Sequence, residues 1–261
     1  MKENKTPRPF PEAEADGIIE GRNAVIEALR TRTPIDKIYL AKGDTDKTLG
    51  HIASRAREAG VVVVEADRHK LDNMSRTHAH QGVIALAAVR EYVSVQSLLS
   101  AAAEKGEPPL LVVCDEISDP HNLGAILRTA EFAGAHGVII PKRRSAGLTA
   151  IVAKTSAGAV SHIPVARVAN LTATLEELKK QGVWIFGTAA DGAAELYDAD
   201  LKGAAAIVIG SEGSGMTRLV RERCDFLVRI PLLGKITSLN ASAAAAVLLY
   251  EAVRQRMGKG M

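Results

Sequence analysis

The sequence predicts an α/β protein whose main sheet is mostly parallel, with helices on both faces. Apolar runs at residues 110–114, 137–140, 183–187, 204–209 and 226–230 are separated by stretches with helical spacing, which is typical of such a sheet. Aromatic residues make up only 3% of the chain, whereas Ala, Val, Ile and Leu are abundant. This composition favours helices packed closely on a parallel sheet over a β-sandwich.

Four regions follow one another along the chain. Residues 1–16 are charged and rich in proline, so we predict a mobile tail. Residues 17–90 form a small α/β unit, with helices expected near 24–29 and 48–59 and strands near 37–40, 61–64 and 83–87. Residues 91–109 end in a segment with one glycine and paired prolines, which predicts a linker. Residues 110–261 form the second domain, with a further weak strand near 162–165.

Composition and missing motifs exclude several classes of protein. No apolar stretch of 18 residues occurs, and the two cysteines form no disulfide framework, so a soluble, cytoplasmic protein is expected. The histidines form no zinc signature, and neither a dinucleotide-binding nor a P-loop glycine motif is present, so no metal or P-loop site is predicted. A net charge of +3 permits a nucleic-acid partner without requiring one.

The first polar segment spans residues 119–134 and follows the run that ends at residue 114. Its apolar residues recur at helical spacing, so it leads into a helix that packs on the sheet. Asn122 stands at the start of this helix, while Arg128 and Glu131 share another face. A capped amphipathic helix with a surface ion pair would explain the same pattern.

The second segment contains Gly210, Gly213 and Gly215, with Glu212 between them, directly after the run at residues 204–209. Glycines let a backbone turn tightly and approach a ligand closely, so this segment predicts a ligand-binding loop at the end of a buried strand. Glycine-rich turns between strands and helices also occur without binding anything.

The third segment, residues 230–240, again joins a strand to a helix through a loop that contains a glycine. Ser238 or Asn240 is placed to cap the following helix, and capping alone would explain both residues. All three segments follow strands, however, and in a parallel sheet such loops gather along one edge, where ligand crevices form. A site built from all three loops is therefore predicted.

The three segments together resemble the signature motifs of the SpoU (TrmH) family of RNA 2′-O-ribose methyltransferases, in the SPOUT class. The similar stretches are Asn122 to Glu131, Ile209 to Met216, and Ile230 to Ser242, and their order and spacing match over residues 110–256. Similarity extends to residues 138–146, 184–189, 21–25 and 80–83. The closest resemblance is to the bacterial branch that methylates a guanosine of 23S rRNA.

The resemblance implies a fold that physical rules alone would not suggest. Its C-terminal SPOUT domain would contain a deep trefoil knot, and its N-terminal α/β domain would be similar to ribosomal protein L30e and bind the RNA substrate. The general rules favour an unknotted, doubly wound sheet, because threaded connections are nearly absent from proteins. The resemblance also implies S-adenosylmethionine as methyl donor and a homodimer in which each active site borrows from its neighbour.

The same resemblance assigns roles to individual positions. Gly210, Ile230 and Leu239 match positions that hold the cofactor, mainly through main-chain groups, and Thr188 lies on another loop that lines the pocket. Arg128 matches the essential arginine of the family. The polar residues expected around it, which complete the predicted catalytic set, are Asn122, Glu212, Ser238 and Asn240.

The implied reaction is an in-line attack of a ribose 2′-hydroxyl on the sulfonium methyl group. Two roles for Arg128 stay open. The family assigns its counterpart as the base, but a guanidinium is treated as permanently charged. In the alternative, Arg128 stays cationic and binds the phosphate beside the target ribose, while Glu212 or a water molecule takes the proton.

Contacts with RNA phosphates are expected from a basic loop and from the first unit. The loop contributes Lys142, Arg143 and Arg144, and the first unit contributes Arg22, aided by Arg30 and Arg32. Three other functions remain open: methylation of tRNA, binding of RNA without catalysis, and a nucleotide-binding metabolic enzyme.

Overall fold

The computed structural model describes residues 17–44, 46–236 and 238–258 of the chain. They fall into two compact units, one of which holds the described residues up to Glu91 together with Gly147–Ile151. The other holds Tyr92–Ala146 and the described residues from Val152 onward. The tail predicted at residues 1–16 lies outside the described residues.

The first unit is a four-stranded mixed sheet with the strand order β1-β4-β2-β3. Strands β2 and β3 are parallel, while β4 is antiparallel to both β1 and β2. In chain order the elements are β1 (Ile18–Glu20), α1 (Arg22–Arg30), β2 (Ile35–Ala41), α2 (Lys47–Glu58), β3 (Val62–Ala66), α3 (Arg68–Met74) and β4 (Val83–Ala87).

Each face of this sheet has its own apolar cluster. Val25 of α1 and Ile52 of α2 pack with Ile38 on one face, while Leu71 of α3 packs with Ile84 on the other. The helices and strands predicted for this unit are present. Strand β1 and helix α3 were not predicted, because three residues are too few for a strand pattern and α3 buries only Leu71 and Met74.

The second unit is a seven-stranded sheet with the order β7-β6-β5-β10-β8-β11-β9, in which every pair is parallel. Its strands are β5 (Leu110–Cys114), β6 (Gly137–Pro141), β7 (Val165–Val168), β8 (Trp184–Thr188), β9 (Ala194–Glu195), β10 (Ala205–Ile209) and β11 (Phe226–Arg229). Its helices are α4 (Val95–Glu104), α5 (Pro120–Phe132), α6 (Ala150–Thr155, whose first two residues are counted with the first unit), α7 (Leu171–Lys180), α8 (Arg218–Arg221) and α9 (Ala241–Arg256).

Helices cover both faces of this parallel sheet. Leu98 of α4, Leu175 of α7 and Val220 of α8 share one cluster with side chains of the strands. Helices α5 and α9 pack against each other, and α5 contacts β6 while α9 contacts β10. The predicted α/β fold with a mostly parallel sheet is therefore confirmed. The knot and the similarity to L30e stay predictions.

The segment predicted as a linker, residues 91–109, contains packed secondary structure. Helix α4 begins after Ser94, whose hydroxyl accepts a hydrogen bond from Ser97 N, and it buries Leu98 and Leu99 against the parallel sheet. Gly106 and the two prolines come only after this helix, so the irregular part of the segment is its last few residues.

The end of α9 is tied to distant parts of the second unit by one side chain. The Arg256 guanidinium donates hydrogen bonds to the carbonyl oxygens of Pro108, Pro109, Leu201 and Gly203, at 2.7, 3.0, 3.1 and 2.5 Å respectively. These carbonyls belong to the segments that lead into the neighbouring parallel strands β5 and β10, so Arg256 fixes α9 at its carboxyl end. Over the described ranges, every helix is too short or too polar to cross a membrane.

Candidate active site

The loops after β5, β8, β10 and β11 lie side by side at the carboxyl edge of the parallel sheet, because these four strands are neighbours in the strand order. The last three line a cavity of about 840 Å³. Its apolar lining includes Ile209, Met216, Val228, Ile230 and Leu239. The prediction that polar loops meet at one sheet edge is confirmed, and the loop after β8, which carries Thr188, lies beside them.

Residues 210–217, here called the glycine loop, form a tight closed turn after β10. Ser211 and Gly215 exchange two backbone hydrogen bonds, of 3.0 and 2.9 Å. A Cβ atom at Gly210 would lie 2.3 Å from the backbone of Gly215 and Met216, so only glycine lets the two ends of the loop pass each other. Gly213 and Gly215 have φ angles of 88° and 68°, which other residues rarely adopt.

Glu212, at the tip of this loop, is held by two asparagine side chains. Asn122 Nδ2 donates to Glu212 Oε1 at 3.0 Å, and Asn240 Nδ2 donates to the same oxygen. Asn240 Nδ2 also donates to Asn122 Oδ1, at 2.9 Å. The first turn of α5 and the loops after β10 and β11 therefore contribute to one hydrogen-bonded cluster that orients a carboxylate at the edge of the cavity.

Asn240 caps a helix and contributes to this cluster at the same time. Its Oδ1 accepts hydrogen bonds from Ser242 N and Ala243 N at the start of α9, at 3.0 and 3.2 Å. This capping fixes the orientation of the amide, so that Nδ2 points toward Glu212 and Asn122. Helix capping by Asn240 is therefore confirmed, and its predicted catalytic role stays a prediction.

The predicted cofactor-binding residues all line the cavity, as does Ser238. These are Thr188, Gly210, Ile230 and Leu239. Thr188 is fixed by its hydroxyl, which donates to Val208 O at 3.0 Å. Their placement agrees with the predicted roles, and the roles themselves stay predictions.

Arg128 lies apart from this cluster. It is exposed on α5 and is not among the residues that line the cavity. Within the described ranges it makes no hydrogen bond or ion pair, so its guanidinium is available to an external anion. The structure therefore brings together Asn122, Glu212, Ser238 and Asn240, and it leaves Arg128 on the helix surface.

The predicted RNA-binding residues differ in how free they are. Arg143 is exposed, and Arg144 beside it has an 80% exposed side chain that is paired with Glu116 at 2.9 Å. Lys142 is half-buried and donates its backbone N–H to Val168 O. In the first unit, the Arg22 guanidinium binds Asp46 at 2.7 Å and Gln81 O at 3.0 Å, so it connects two loops of its own unit.

Two pairs of residues at this edge were missed from sequence. Asp191 and Arg221, both lining the cavity, form a two-pronged ion pair with distances of 2.9 and 3.0 Å. The hydrogen bonds from Arg221 lower the pKa of the Asp191 carboxyl. Asp115, buried at the end of β5, accepts hydrogen bonds from Thr217. No local sequence pattern predicts either pair, because the partners are 30 residues apart in the first pair and 102 residues apart in the second.

The chain matches two known protein families over most of its length. Residues 109–250 match the SpoU rRNA Methylase family. Residues 18–93 match a family described as RNA 2′-O ribose methyltransferase substrate binding. The boundary between the two matches lies in the segment that contains α4.

Similar proteins cover nearly the whole chain. YacO of Bacillus subtilis (strain 168), named for the TrmH family of tRNA/rRNA methyltransferases, is 49% identical over 236 residues, which are 90% of this chain and 94% of YacO. A protein of Staphylococcus aureus (strain MSSA476) with the same family name is 45% identical over 245 residues, covering 94% of this chain and 98% of its own.

Solved structures share the fold. The SpoU methyltransferase AviRb from Streptomyces viridochromogenes, in complex with AdoMet, has a TM-score of 0.60 at 24% identity and covers 93% of this chain and 92% of its own. The AdoMet-bound rRNA methyltransferase from Sinorhizobium meliloti has a TM-score of 0.54 at 25% identity and covers 91% of this chain and 86% of its own.

Proposed function

The chain belongs to the SpoU rRNA methylase family, and from this premise we propose that it methylates the ribose 2′-hydroxyl of a guanosine in 23S rRNA, in the cytoplasm. That it is an RNA 2′-O-ribose methyltransferase follows from both family matches. The observation that carries the proposal for this chain is the Glu212 carboxylate, oriented by Asn122 and Asn240 at the edge of the cavity.

The cavity fits S-adenosylmethionine, the methyl donor of this family. Ile209, Ile230 and Leu239 provide apolar walls suited to an adenine ring, and the irregular backbone of the surrounding loops can pair with its polar edge. Gly210 keeps the neck of the glycine loop narrow. When bound, the cofactor supplies a methyl group on a positively charged sulfur, which is a good leaving group.

Glu212 is the proposed acceptor of the proton. A new bond forms between O2′ and the methyl carbon, the bond from that carbon to sulfur breaks, and the 2′-hydroxyl proton must leave. The two asparagines hold Glu212 Oε1, and the carboxylate lies within the cavity lining. A hydroxyl is a weak nucleophile, so a positioned base beside it is needed for a useful rate.

Arg128 is proposed to bind the phosphate next to the target ribose. Its guanidinium stays charged at neutral pH and can bind a phosphate through two parallel hydrogen bonds. Exposure and the lack of a partner within the described ranges support a role toward an external anion. The alternative role as base would require a neutral guanidinium, which is costly.

Replacement of Arg128 tests both roles. Arg128→Lys and Arg128→Ala should each lower methyl transfer to a 23S rRNA transcript by at least about 100-fold, because lysine cannot reproduce the planar fork. Arg223→Lys, on an exposed arginine paired with Glu176, is the matched control and should keep full activity. A rate above about a tenth in Arg128→Ala would overturn both roles.

The basic loop after β6 is proposed to contact RNA phosphates, with Glu116 competing for Arg144. A surface ion pair of this kind contributes little free energy, so a phosphate can replace the carboxylate. Glu116→Gln should therefore tighten RNA binding about threefold at low salt, and Arg143→Gln should weaken it and flatten its salt dependence. Filter binding over a salt series measures both.

The RNA target is decided by mapping 2′-O-methyl groups in a strain that lacks the gene. Loss of one methyl group on a guanosine of 23S rRNA is expected. Loss from tRNA would place the substrate in the other class that the names of the relatives include. Failure of the purified chain to bind S-adenosylmethionine in calorimetry would support RNA binding without catalysis.

The proposal includes a homodimer formed through helices α5 and α9. Phe132 is 79% exposed, Tyr250 is 41% exposed, and their ring centres are 6.3 Å apart. An exposed aromatic pair on adjoining helices favours contact with a second copy, because burying such rings is strongly favourable. Phe132→Asp should sediment as a monomer, whereas Tyr197→Asp, at another exposed aromatic residue, should stay dimeric.

A further inference from the structure

Asp115 is a buried carboxylate to which neither family motif nor proposed mechanism gives a role. It follows β5 directly and is 3% exposed. Its Oδ2 accepts a hydrogen bond from Thr217 N at 2.6 Å and another from Thr217 Oγ1 at 2.9 Å. Burial raises the pKa of this carboxyl, and the neighbouring Glu116 adds to the effect.

Thr217 is diverted from its ordinary role by this contact. It occupies the N-cap position of α8, where a threonine hydroxyl normally accepts a hydrogen bond from the helix backbone. Here the hydroxyl makes no capping bond and donates to Asp115. Helix α8 therefore begins without a side-chain cap, and the hydroxyl instead attaches the end of the glycine loop to Asp115.

Asp115 holds both ends of the glycine loop. Its backbone N–H donates to Ile209 O at 2.8 Å, which fixes the residue just before the loop. Its carboxylate holds Thr217, the last residue of the loop. Between these two points lies the closed turn that carries Glu212, so the position of Glu212 depends on both attachments.

Stability alone does not account for this carboxylate. Within the described ranges Asp115 makes no ion pair, and the titratable groups that interact with it are Glu116, Cys114 and Cys224, none of them cationic. Burying a carboxylate without a cation is costly. A costly group at the base of a ligand-binding loop is the pattern expected where precise placement matters more than stability.

We propose that Asp115 is a positioning residue for methyl transfer, which clamps the two ends of the glycine loop and thereby places both Glu212 and the wall of the cofactor cavity. This inference rests on the proposed function. It adds a residue that touches neither substrate nor cofactor and acts through Thr217 and the loop.

The test weakens the clamp from the Thr217 side, where the backbone N–H still donates to Asp115, and removes its carboxylate from the other side. Thr217→Val deletes the hydroxyl and keeps the shape, whereas Thr217→Ser keeps the hydroxyl; Asp115→Ala removes the whole acceptor. Each variant is measured for melting temperature, for kcat of methyl transfer, and for affinity for S-adenosylhomocysteine, which binds without reacting. The matched control is Thr174→Val in α7. It deletes a hydroxyl that donates to the backbone oxygen of Asn170, the residue just before that helix.

Thr217→Val should lower kcat about tenfold and weaken S-adenosylhomocysteine about threefold, because a misplaced loop affects the reaction more than binding. Thr217→Ser should restore both values to within about twofold of the original chain, and Asp115→Ala should exceed Thr217→Val in both effects. Thr174→Val should change neither.

Two results would overturn the inference. One is Thr217→Val with unchanged kcat and affinity and a lower melting temperature, which would make the contact purely structural. The other is Thr217→Ser as impaired as Thr217→Val. If the original chain itself fails to bind S-adenosylhomocysteine, the proposed function fails before this inference is tested.

Discussion

Two of the three loops that line the cavity are built in opposite ways. The glycine loop is closed on itself by two backbone hydrogen bonds, attached to Asp115 at both ends, and joined at its tip to Asn122 and Asn240. The other loop, residues 231–239, is here called the apolar loop. Its described residues make no hydrogen bonds, and four of them are large, exposed apolar residues: Leu232, Leu233, Ile236 and Leu239.

This difference indicates that the two loops have different roles in the same cavity. A loop that must place a carboxylate needs fixed geometry, which the glycines of its tight turn and its buried polar contacts provide. A loop that only covers an apolar ligand needs apolar surface and freedom to settle on it. We therefore expect the glycine loop to be sensitive to changes of its carboxylate or its backbone shape, and the apolar loop to be sensitive to loss of apolar surface.

The largest effect is expected at the tip of the glycine loop. Glu212→Gln replaces the carboxylate that accepts the proton by a neutral amide. Its NH2 group cannot accept the hydrogen bonds that the Asn122 and Asn240 side chains donate to Glu212. The value of kcat should therefore fall by about 100-fold or more. Affinity for S-adenosylhomocysteine, measured by calorimetry, should change little. Glu222→Gln, at an exposed glutamate paired with Arg218, is the control. A kcat above a tenth of the original value would show that Glu212 is not the proton acceptor, and a water molecule would take that role.

The next largest effect is expected from a comparison of one glycine-to-alanine substitution in each loop, which adds a single methyl group. Gly210→Ala would place a Cβ 2.3 Å from backbone atoms of the glycine loop, whereas at Gly234 of the apolar loop a Cβ meets nothing within 4 Å. Gly210→Ala should weaken S-adenosylhomocysteine at least about tenfold, and Gly234→Ala should leave it within about twofold. Equal effects at both sites would remove the distinction between a rigid and an adaptable loop.

A smaller effect is expected when the apolar loop loses apolar surface. Leu233 is fully exposed and Ile236 is 78% exposed, so serine at either position should leave the melting temperature unchanged. If the loop settles on the cofactor, each change should weaken S-adenosylhomocysteine about threefold to tenfold with kcat nearly constant. Unchanged affinity in both variants would show that the loop does not cover the ligand.

The smallest effect concerns what the clamp costs. Burial raises the pKa of Asp115 above its ordinary value of 3.8, so the folded chain holds that proton more tightly than the unfolded chain. The resulting stability is present below pH 3.8 and is lost as the pH rises through the raised pKa. Asp115→Asn does not titrate there.

Its melting temperature relative to the original chain should therefore be higher at pH 7 than at pH 4. Calorimetric scans of both chains at the two pH values measure the difference. A difference of opposite sign would mean that the ionised carboxylate stabilises the fold, and the cost assigned to it would be wrong.

Sequence patterns were sufficient for the framework of the second unit. Apolar runs located its main strands to within one or two residues, because fully buried parallel strands are nearly continuous in apolar residues. The weak strand expected near 162–165 is β7 at Val165–Val168, displaced because Ile163 is buried just before it. Since loops of a parallel sheet share an edge, the meeting of Glu212 with Asn240 could also be expected.

Contacts that depend on burial and distance could not be predicted. Asp115 and Thr217 are 102 residues apart, and each has an ordinary local explanation, as a polar residue after a strand and a helix cap. The resemblance grouped Asn122 with Arg128, but six residues along a helix place their side chains on different faces. Likewise, the basic character of Arg22 did not reveal that Asp46 already binds it.

The Arg256 contacts have a consequence for how the protein is made. The four carbonyls that this guanidinium binds lie 53 to 148 residues earlier in the chain. A ribosome delivers the strands of the parallel sheet one after another, and earlier parts begin to fold while later ones are still being translated. These contacts can form only after Arg256 has left the exit tunnel, so the four carbonyl oxygens lack this partner until that late stage of synthesis.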